Sequence, residues 1–368
     1  MALHRVRAER AEEAQHGRIS TAGGQPCRDR IIAVGTEGTF GDDMPTVSVA
    51  ISTWNRAHLV GRCIRSACAQ SFDDIEILVV NDGSTDETST VLASLDDRRL
   101  RCERHERNQG ISCTRNTAIR LARGEWMAFL DDDNEWAPHY LARQLAFAAA
   151  RPDAGVVYCR ARLRDIPSGS EHDDESNLPQ GRVFNHLVGG WNPWMSAALI
   201  RRSVLTEVGG LDERLRATED HDLWLRLALC TNFAGLSDVL MTRYLRHGAQ
   251  LSRNPEFRLR DVTILDAKWR TAMTKLCGRM AYRRWHLRLE GYAERLRVEH
   301  ARVAGVVAYA AAAARGAGRL SRYLPWSAPL VAELLVTSIA GYRGGHFVRR
   351  AWRHWYRARQ ALGFPPVR

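Results

Sequence analysis

The amino-acid sequence predicts an α/β protein: a mostly parallel central sheet flanked by helices, with a helical C-terminal extension. Three observations carry this. Apolar runs of strand length recur at 46–53, 75–82 and 125–132. Stripes of apolar residues at helical spacing lie between them, and after about residue 255 the pattern turns helical and basic. Repeated strand–helix units with strands buried on both faces form parallel sheets, whose ligands gather at the carboxyl ends of the strands. At 368 residues the chain is long enough for one large domain with an appendage, or for two domains.

In chain order, residues 1–45 are charged, Gly-rich and aperiodic, without the apolar core of a signal peptide, and read as a flexible leader. "TVSVAIST" (46–53) reads as the first strand, and Val60, Cys63, Ile64, Ala67 and Cys68 form the stripe of a helix covering a sheet. "IEILVVND" (75–82) is a second strand, and "GSTDET" supplies a turn and helix-capping residues. "LRCERH" (100–105), a helix over 110–123 and "EWMAFLDD" (125–132) continue the alternation. "GVVYCRARLRD" (155–165) precedes a polar loop at 166–182, and a helix is expected behind "TEDHDLWLRLAL". The boundaries that follow are a leader at 1–45, an α/β domain at 46–254 and a basic helical region at 255–368, in which Trp285, Leu289, Tyr292 and Leu296 share one face.

Charge is unevenly placed. Residues 255–368 hold 22 Lys+Arg against 7 Asp+Glu, a net +15, which leaves −4 for the first 254 residues out of the total +11. A mildly acidic body with a basic, aromatic tail looks less like a nucleic-acid reader than like a domain held against an anionic membrane. The apolar stretch at 303–314 is too short to span a bilayer, and 324–342 is interrupted by Pro325, Pro329 and Glu333. In the last helix Val348, Ala351, Trp352, Trp355 and Tyr356 form a stripe with Arg349, Arg350, Arg353 and Arg357 off it, the pattern of an interfacial helix or of one packed on protein. The eight cysteines lack CxxC spacing and read as buried thiols in a reducing compartment, so the expected location is cytoplasmic, peripheral on the membrane's cytoplasmic face.

The candidate chemistry sits at strand ends. Asp131, Asp132 and Asp133 follow one another where the strand 125–132 closes. Like charges this close raise one another's pKa unless a cation compensates, so the cluster implies a metal or a cationic partner; a solvated loop is the alternative. On an extended backbone Asp131 and Asp133 point to one side and Asp132 to the other. Asp82 ends a buried strand before Gly83, which permits a tight turn and close approach of a ligand; a turn or helix-cap role for Asp82 or Asp86 needs no ligand. Thr218 is positioned to cap a helix whose first turn holds Glu219, Asp220 and Asp222, an arrangement the helix dipole favours without any catalysis. Trp191 and Trp194 flank Pro193 and read either as sugar-stacking walls or as core.

"VSVAISTWNR", "VVNDGSTDET", "NQGISCTRNTAI", "FLDDDNEW", "EVGGLDE", "EDHDLWLRL" and "YLRHGAQLS" occur in an order and spacing that resembles family 2 of the GT-A, Rossmann-like glycosyltransferases, over residues 46–252. The resemblance implies a nucleotide pocket rimmed by Thr53, Asn55 and Arg56, with Asp82 accepting hydrogen bonds from the base beside Gly83, and Arg115 near the nucleotide; a surface ion pair is the other reading of Arg115. It assigns Asp133 to Mg2+ or Mn2+, and Asp131 or Asp132 to the ribose and the metal's water shell. His247 is implied to reach the metal or diphosphate. The Glu219–Asp220 pair falls on the acceptor side, with Asp220 as base and Glu219, Trp191 and Trp194 as acceptor contacts. Relatives often carry a fourth acid where this chain has Asn134, and small residues where it has Cys113, Thr114 and Ala118.

The function implied is an inverting transfer from a nucleotide-diphosphate sugar, a UDP-sugar first, to a hydroxyl of a glycan or lipid-linked acceptor in cell-envelope polysaccharide synthesis. The rivals are a non-catalytic scaffold and a nucleotidyltransferase; "STWNRAHLVGR" lacks the Gly-rich phosphate loop the latter needs.

Overall fold

A computed structural model describes residues 31–33, 44–245 and 254–303, together with 315, 317 and 319. Among them a ten-stranded sheet forms the centre. Its strands are β1 (Ile31–Ala33), β2 (Val47–Thr53), β3 (Ile75–Asn81), β4 (Leu100–His105), β5 (Trp126–Asp131), β6 (Glu135–Trp136), β7 (Ala154–Asp165), β8 (Glu171–Asp173), β9 (Ala198–Arg201) and β10 (Asn232–Leu245). The helices are α1 (Ala57–Cys68), α2 (Thr88–Ala93), α3 (Ile111–Leu121), α4 (Tyr140–Ala149), α5 (Phe184–Val188), α6 (Arg202–Glu207), α7 (Glu219–Cys230) and α8 (Pro255–Val303).

The strand order is β1-β4-β3-β2-β5-β9-β7-β10-β6, with β8 on β7. The centre, β4-β3-β2-β5, is parallel, as the buried apolar runs predict. β9 runs antiparallel to both its neighbours, β7 and β10 pair in parallel, and short antiparallel strands close the edges. Part of the segment read as an aperiodic leader is thus a strand, β1, on the edge of β4. The chain steps from β2 to β3 and β4 on one side and returns to β5 on the other, so the crevice at the carboxyl end of β2 is a topological switch point.

Side chains alternate across the sheet. Val49, Ile51, Ile77 and Val79 face the layer of α1 and α4, while Ala50, Leu78 and Val80 face that of α3, α7 and α8. The helix α8 is broken at Gly278 (φ 84°, ψ 159°). Its arms run antiparallel: Arg297 reaches Glu256 at 3.1 Å, and Tyr282 bonds Asp266. Leu265, Trp269, Met273 and Trp285 enter the same core as Phe184 and Trp224, so this part of the C-terminal region is continuous with the layer of α3 and α7. The stripes predicted at 324–342 and 348–356 lie outside the described residues.

Candidate active site

At the ends of β2 and β3 the backbone is stitched together before any side chain is added: Asp82 N donates to the Thr53 carbonyl at 2.9 Å. Asn55 adopts a left-handed φ of 51°, its amide oxygen accepting the Thr85 N–H at 2.8 Å and its own N–H reaching Ser84 Oγ at 2.9 Å. Gly83 has φ 69°, and an added Cβ would lie 2.6 Å from the Arg107 backbone, so both conformation and space require glycine. The buried Asp82 carboxylate accepts the N–H groups of Gln109 (2.9 Å) and Gly110 (2.8 Å) and sits 2.7 Å from His105 Nδ1. His105 Nε2 lies 3.0 Å from Thr117 Oγ1. At the start of α2 it is Asp86, one residue before the N-cap Glu87, that takes the Thr88 N–H at 3.0 Å, so Asp82 does not serve that helix.

The three aspartates meet two arginines. β5 ends at Asp131 and the chain turns, with Asn134 N donating to the Asp131 carbonyl at 2.9 Å. The expected alternation therefore stops at Asp131, because the backbone beyond it is no longer extended. Asp132 and Asp133 go together to Arg56 Nη1 (2.8 and 2.9 Å), and Asp131 pairs with Arg115 Nη2 at 2.6 Å. Burial pushes the Asp132 carboxyl up to about 7, with Asp133 and Asp131 adding to the rise and Arg56 opposing it. Asn134 Nδ2 donates to Ser196 Oγ at 3.1 Å and lies 3.4 Å from Asp131 Oδ2. An ionised acid there could donate to neither, which accounts for the departure from a fourth carboxylate.

Among the described residues no three His, Cys, Asp or Glu side chains converge as a closed metal site requires. Asp131 and Asp133, with side chains 25% and 16% exposed, stay open to the cavity as two hard oxygen donors. That set fits a Mg2+ or Mn2+ that takes its other ligands from phosphate and water. His247 lies outside the described residues.

Arg115 is buried rather than superficial, and its other nitrogen bonds Glu219 Oε1 at 2.8 Å, linking β5 to the start of α7. Burial pushes Glu219 up to about 7; Arg115 opposes this and the neighbouring Asp220 charge adds to it. Asp220 is half-buried, and one of its carboxylate oxygens accepts the His221 N–H at 2.7 Å. Thr218 stands at the N-cap position, yet its hydroxyl donates to Asp261 Oδ2 at 3.0 Å instead of capping α7. Asp261, fully buried on α8, also accepts the N–H groups of Ala217 (2.7 Å) and Arg216 (3.1 Å), so α8 fixes the approach to α7.

Two further contacts fasten α7. Trp285 Nε1 donates to His221 Nε2 at 2.7 Å, which leaves Nδ1 to donate to Asn192 Oδ1 at 2.9 Å; burial lowers this imidazole to about 4. Asp222 takes Trp269 Nε1, Lys268 Nζ and Arg226 Nε, each at 2.9 Å. Against the cost of burial, Arg226 and Lys268 keep Asp222 below its ordinary range. Sequence reasoning missed His105, Asp261, Lys268, Trp269 and Trp285.

A cavity of about 1130 Å³ joins these parts. Thr53, Asn55, Arg56, Asp82, Arg115 and the aspartates 131–133 line it, as do Glu219 and Asp220. Gly83 is not among the lining residues and packs instead on the Arg107 backbone. Of the two tryptophans, Trp194 lines the cavity, while Trp191 packs on Tyr158 at 5.3 Å between ring centroids, among the core residues. The far wall is α8, through Phe257, Arg258, Trp285, Arg288, Leu289 and Tyr292.

The family model "Glycosyl transferase family 2" matches residues 48–209. An uncharacterized glycosyltransferase of Rickettsia prowazekii is 29% identical over 244 residues, 63% of this chain and 73% of that protein. The UDP-Glc:alpha-D-GlcNAc-diphosphoundecaprenol beta-1,3-glucosyltransferase WfaP of Escherichia coli is 32% identical over 214 residues, 57% of this chain and 81% of WfaP. Among solved structures, S. aureus TarS 1-349 in complex with UDP-GlcNAc superposes with TM-score 0.50 at 19% identity, covering 84% of this chain and 92% of that one. The mannosyltransferase PcManGT of Pyrobaculum calidifontis, in complex with GDP-Man and Mn2+, gives TM-score 0.51 at 21% identity, covering 83% and 89%.

Proposed function

Because the chain belongs to glycosyltransferase family 2 and has the GT-A fold, we propose that it performs an inverting transfer from a nucleotide-diphosphate sugar, a UDP-sugar first, to a hydroxyl of a glycan or lipid-linked acceptor. The observation that carries this reading is convergence: Asp82, Asp131–Asp133 and Asp220, spread over the chain, line one cavity. Relatives named for colanic acid biosynthesis and for transfer to a diphosphoundecaprenol-linked sugar support work in envelope polysaccharide synthesis.

In this reading Asp82, oriented by His105 and two backbone N–H groups, offers its remaining acceptor capacity to the N–H of the base. Thr53, Asn55 and Arg56 form the rim, and Asp131 or Asp132 takes the ribose. Asp133 would hold the divalent metal, and the family resemblance adds His247 as a further contact. When bound, Mg2+ or Mn2+ neutralises the departing diphosphate as a Lewis acid. Asp220, with one oxygen held by the His221 N–H, turns the other to the acceptor hydroxyl and takes its proton as the oxygen attacks the anomeric carbon. Glu219 and Trp194 border the acceptor.

The test is a binding and hydrolysis screen against UDP-, GDP- and dTDP-sugars, with and without Mg2+ or Mn2+, alongside Asp133→Ala and Asp220→Asn. The expected result is one donor whose binding needs metal and Asp133, with turnover reduced at least about a hundredfold by Asp220→Asn. A folded protein that binds no nucleotide sugar would be a scaffold.

An anionic membrane surface is the proposed place of work, on the cytoplasmic side. The turn of α8 exposes Leu276 (55%) and Met280 (49%) beside Lys275, Arg279 and Arg283, and no acid occurs between Asp266 and Glu290. No described helix is long and apolar enough to cross a membrane, and the seven described cysteines are free thiols. Sedimentation with phosphatidylglycerol vesicles tests this, with neutral vesicles as the control.

A further inference from the structure

Around Asp131–Asp133 and Glu219 every acid has an arginine partner, because Arg56 and Arg115 each bridge two of the four. Besides Arg216, whose guanidinium lies against Gly110, two arginines line the same cavity without a carboxylate partner among the described residues: Arg243 from β10 and Arg288 from α8. The Arg243 guanidinium lies over the Trp194 ring at 4.4 Å, and its buried Nε has no hydrogen-bond partner. That ring is itself held by its Nε1, which donates to Asp174 Oδ2 at 2.9 Å. Arg288 Nη1 donates to the Val188 carbonyl at 2.9 Å and packs on Gly190, where an added Cβ would lie 2.6 Å away.

Both guanidinium groups therefore frame one short segment, 188–194. The middle of that segment, Asn192, accepts the hydrogen bond of His221, the neighbour of Asp220. A guanidinium partly removed from water is costly without an anion, and its planar fork matches a carboxylate or a phosphoryl group.

We propose that Arg243 and Arg288 form an anion subsite for the acceptor, which carries a carboxylate or phosphoryl group near the hydroxyl that Asp220 deprotonates. Trp194 then serves the acceptor by holding Arg243 flat. The proposal rests on the reading of Asp220 as the base. The two sources of such an anion are an acidic sugar within the glycan and the phosphate that links a glycan to its lipid.

The test uses the full chain loaded with the nucleotide sugar found in the donor screen, and paired soluble probes. Methyl β-glucuronide against methyl β-glucoside examines the acidic sugar; an alkyl diphosphate-linked N-acetylglucosamine against its alkyl glycoside examines the phosphate. The expected result is that one charged probe is used or bound about tenfold better than its neutral twin, the scale of one charge-assisted hydrogen bond. Arg243→Gln and Arg288→Gln should each shrink that preference to about threefold or less. Equal treatment of charged and neutral twins by the wild-type protein overturns the subsite, whether or not the variants fold. Variants that weaken nucleotide-sugar binding tenfold and keep the preference also overturn it, because the arginines then belong to the donor's diphosphate. Failure to bind any nucleotide sugar overturns the base assignment, and the subsite with it.

Discussion

Glu219 and His221, two residues apart on α7, are displaced in opposite senses by burial, and the consequence is measurable. Glu219 rises from 4.5 to about 7, so between those values the folded protein holds a proton the unfolded chain has lost, and stability falls as pH rises. His221 falls from 6.5 to about 4, so between those values the unfolded chain holds the extra proton, and stability rises with pH. The two slopes, each up to about 1.4 kcal/mol per pH unit, oppose one another between about 4.5 and 6.5. Asp132, raised from 3.8 to about 7, adds a second falling slope over the same window, so stability should fall with pH there and Glu219→Gln should flatten that fall, read by urea denaturation at several pH values; an unchanged profile would contradict the burial argument. At Arg115 the prediction is larger. Arg115→Leu strands the Asp131 and Glu219 carboxylates and should cost about 3–5 kcal/mol.

At the level of elements, α7 and α8 depend on each other. Trp285→Phe keeps the ring in the core but removes the donor to His221 Nε2; the expected cost is about 1–3 kcal/mol, with the His221 imidazole displaced in NMR titration. Gly278 occupies backbone space that L residues avoid although nothing crowds it, so Gly278→Ala should cost about 1–3 kcal/mol through conformation alone. The parallel centre was legible because strands such as "IEILVVN" are apolar on both faces, and α1 because its stripe repeats at helical spacing. The reversed strand β9 was not, since a four-residue apolar run carries no direction. Asp82 and the aspartates at 131–133 stood out as acids at apolar strand ends. The partners that orient them did not, because His105, Asp261 and Trp285 become partners only through contacts between elements distant in sequence.

For the whole molecule, the basic region beginning at Pro255 is both wall and core. Truncation after residue 254 removes Trp269 and Trp285 from the hydrophobic interior and Asp261 from the approach to α7. The expected product is insoluble or lacks cooperative unfolding by circular dichroism, so vesicle binding is better tested with Leu276→Ser and Met280→Ser in the full chain. A truncated protein that melts cooperatively would show that the sheet and its helices stand alone. The far wall also bears on how the protein is made. A ribosome delivers β2, β3 and β5 long before the second arm of α8, so the nascent chain has its aspartates before it has Trp285 or Arg288. The pocket is finished only after the second arm has been made, and until then an emerging chain has no far wall to its site.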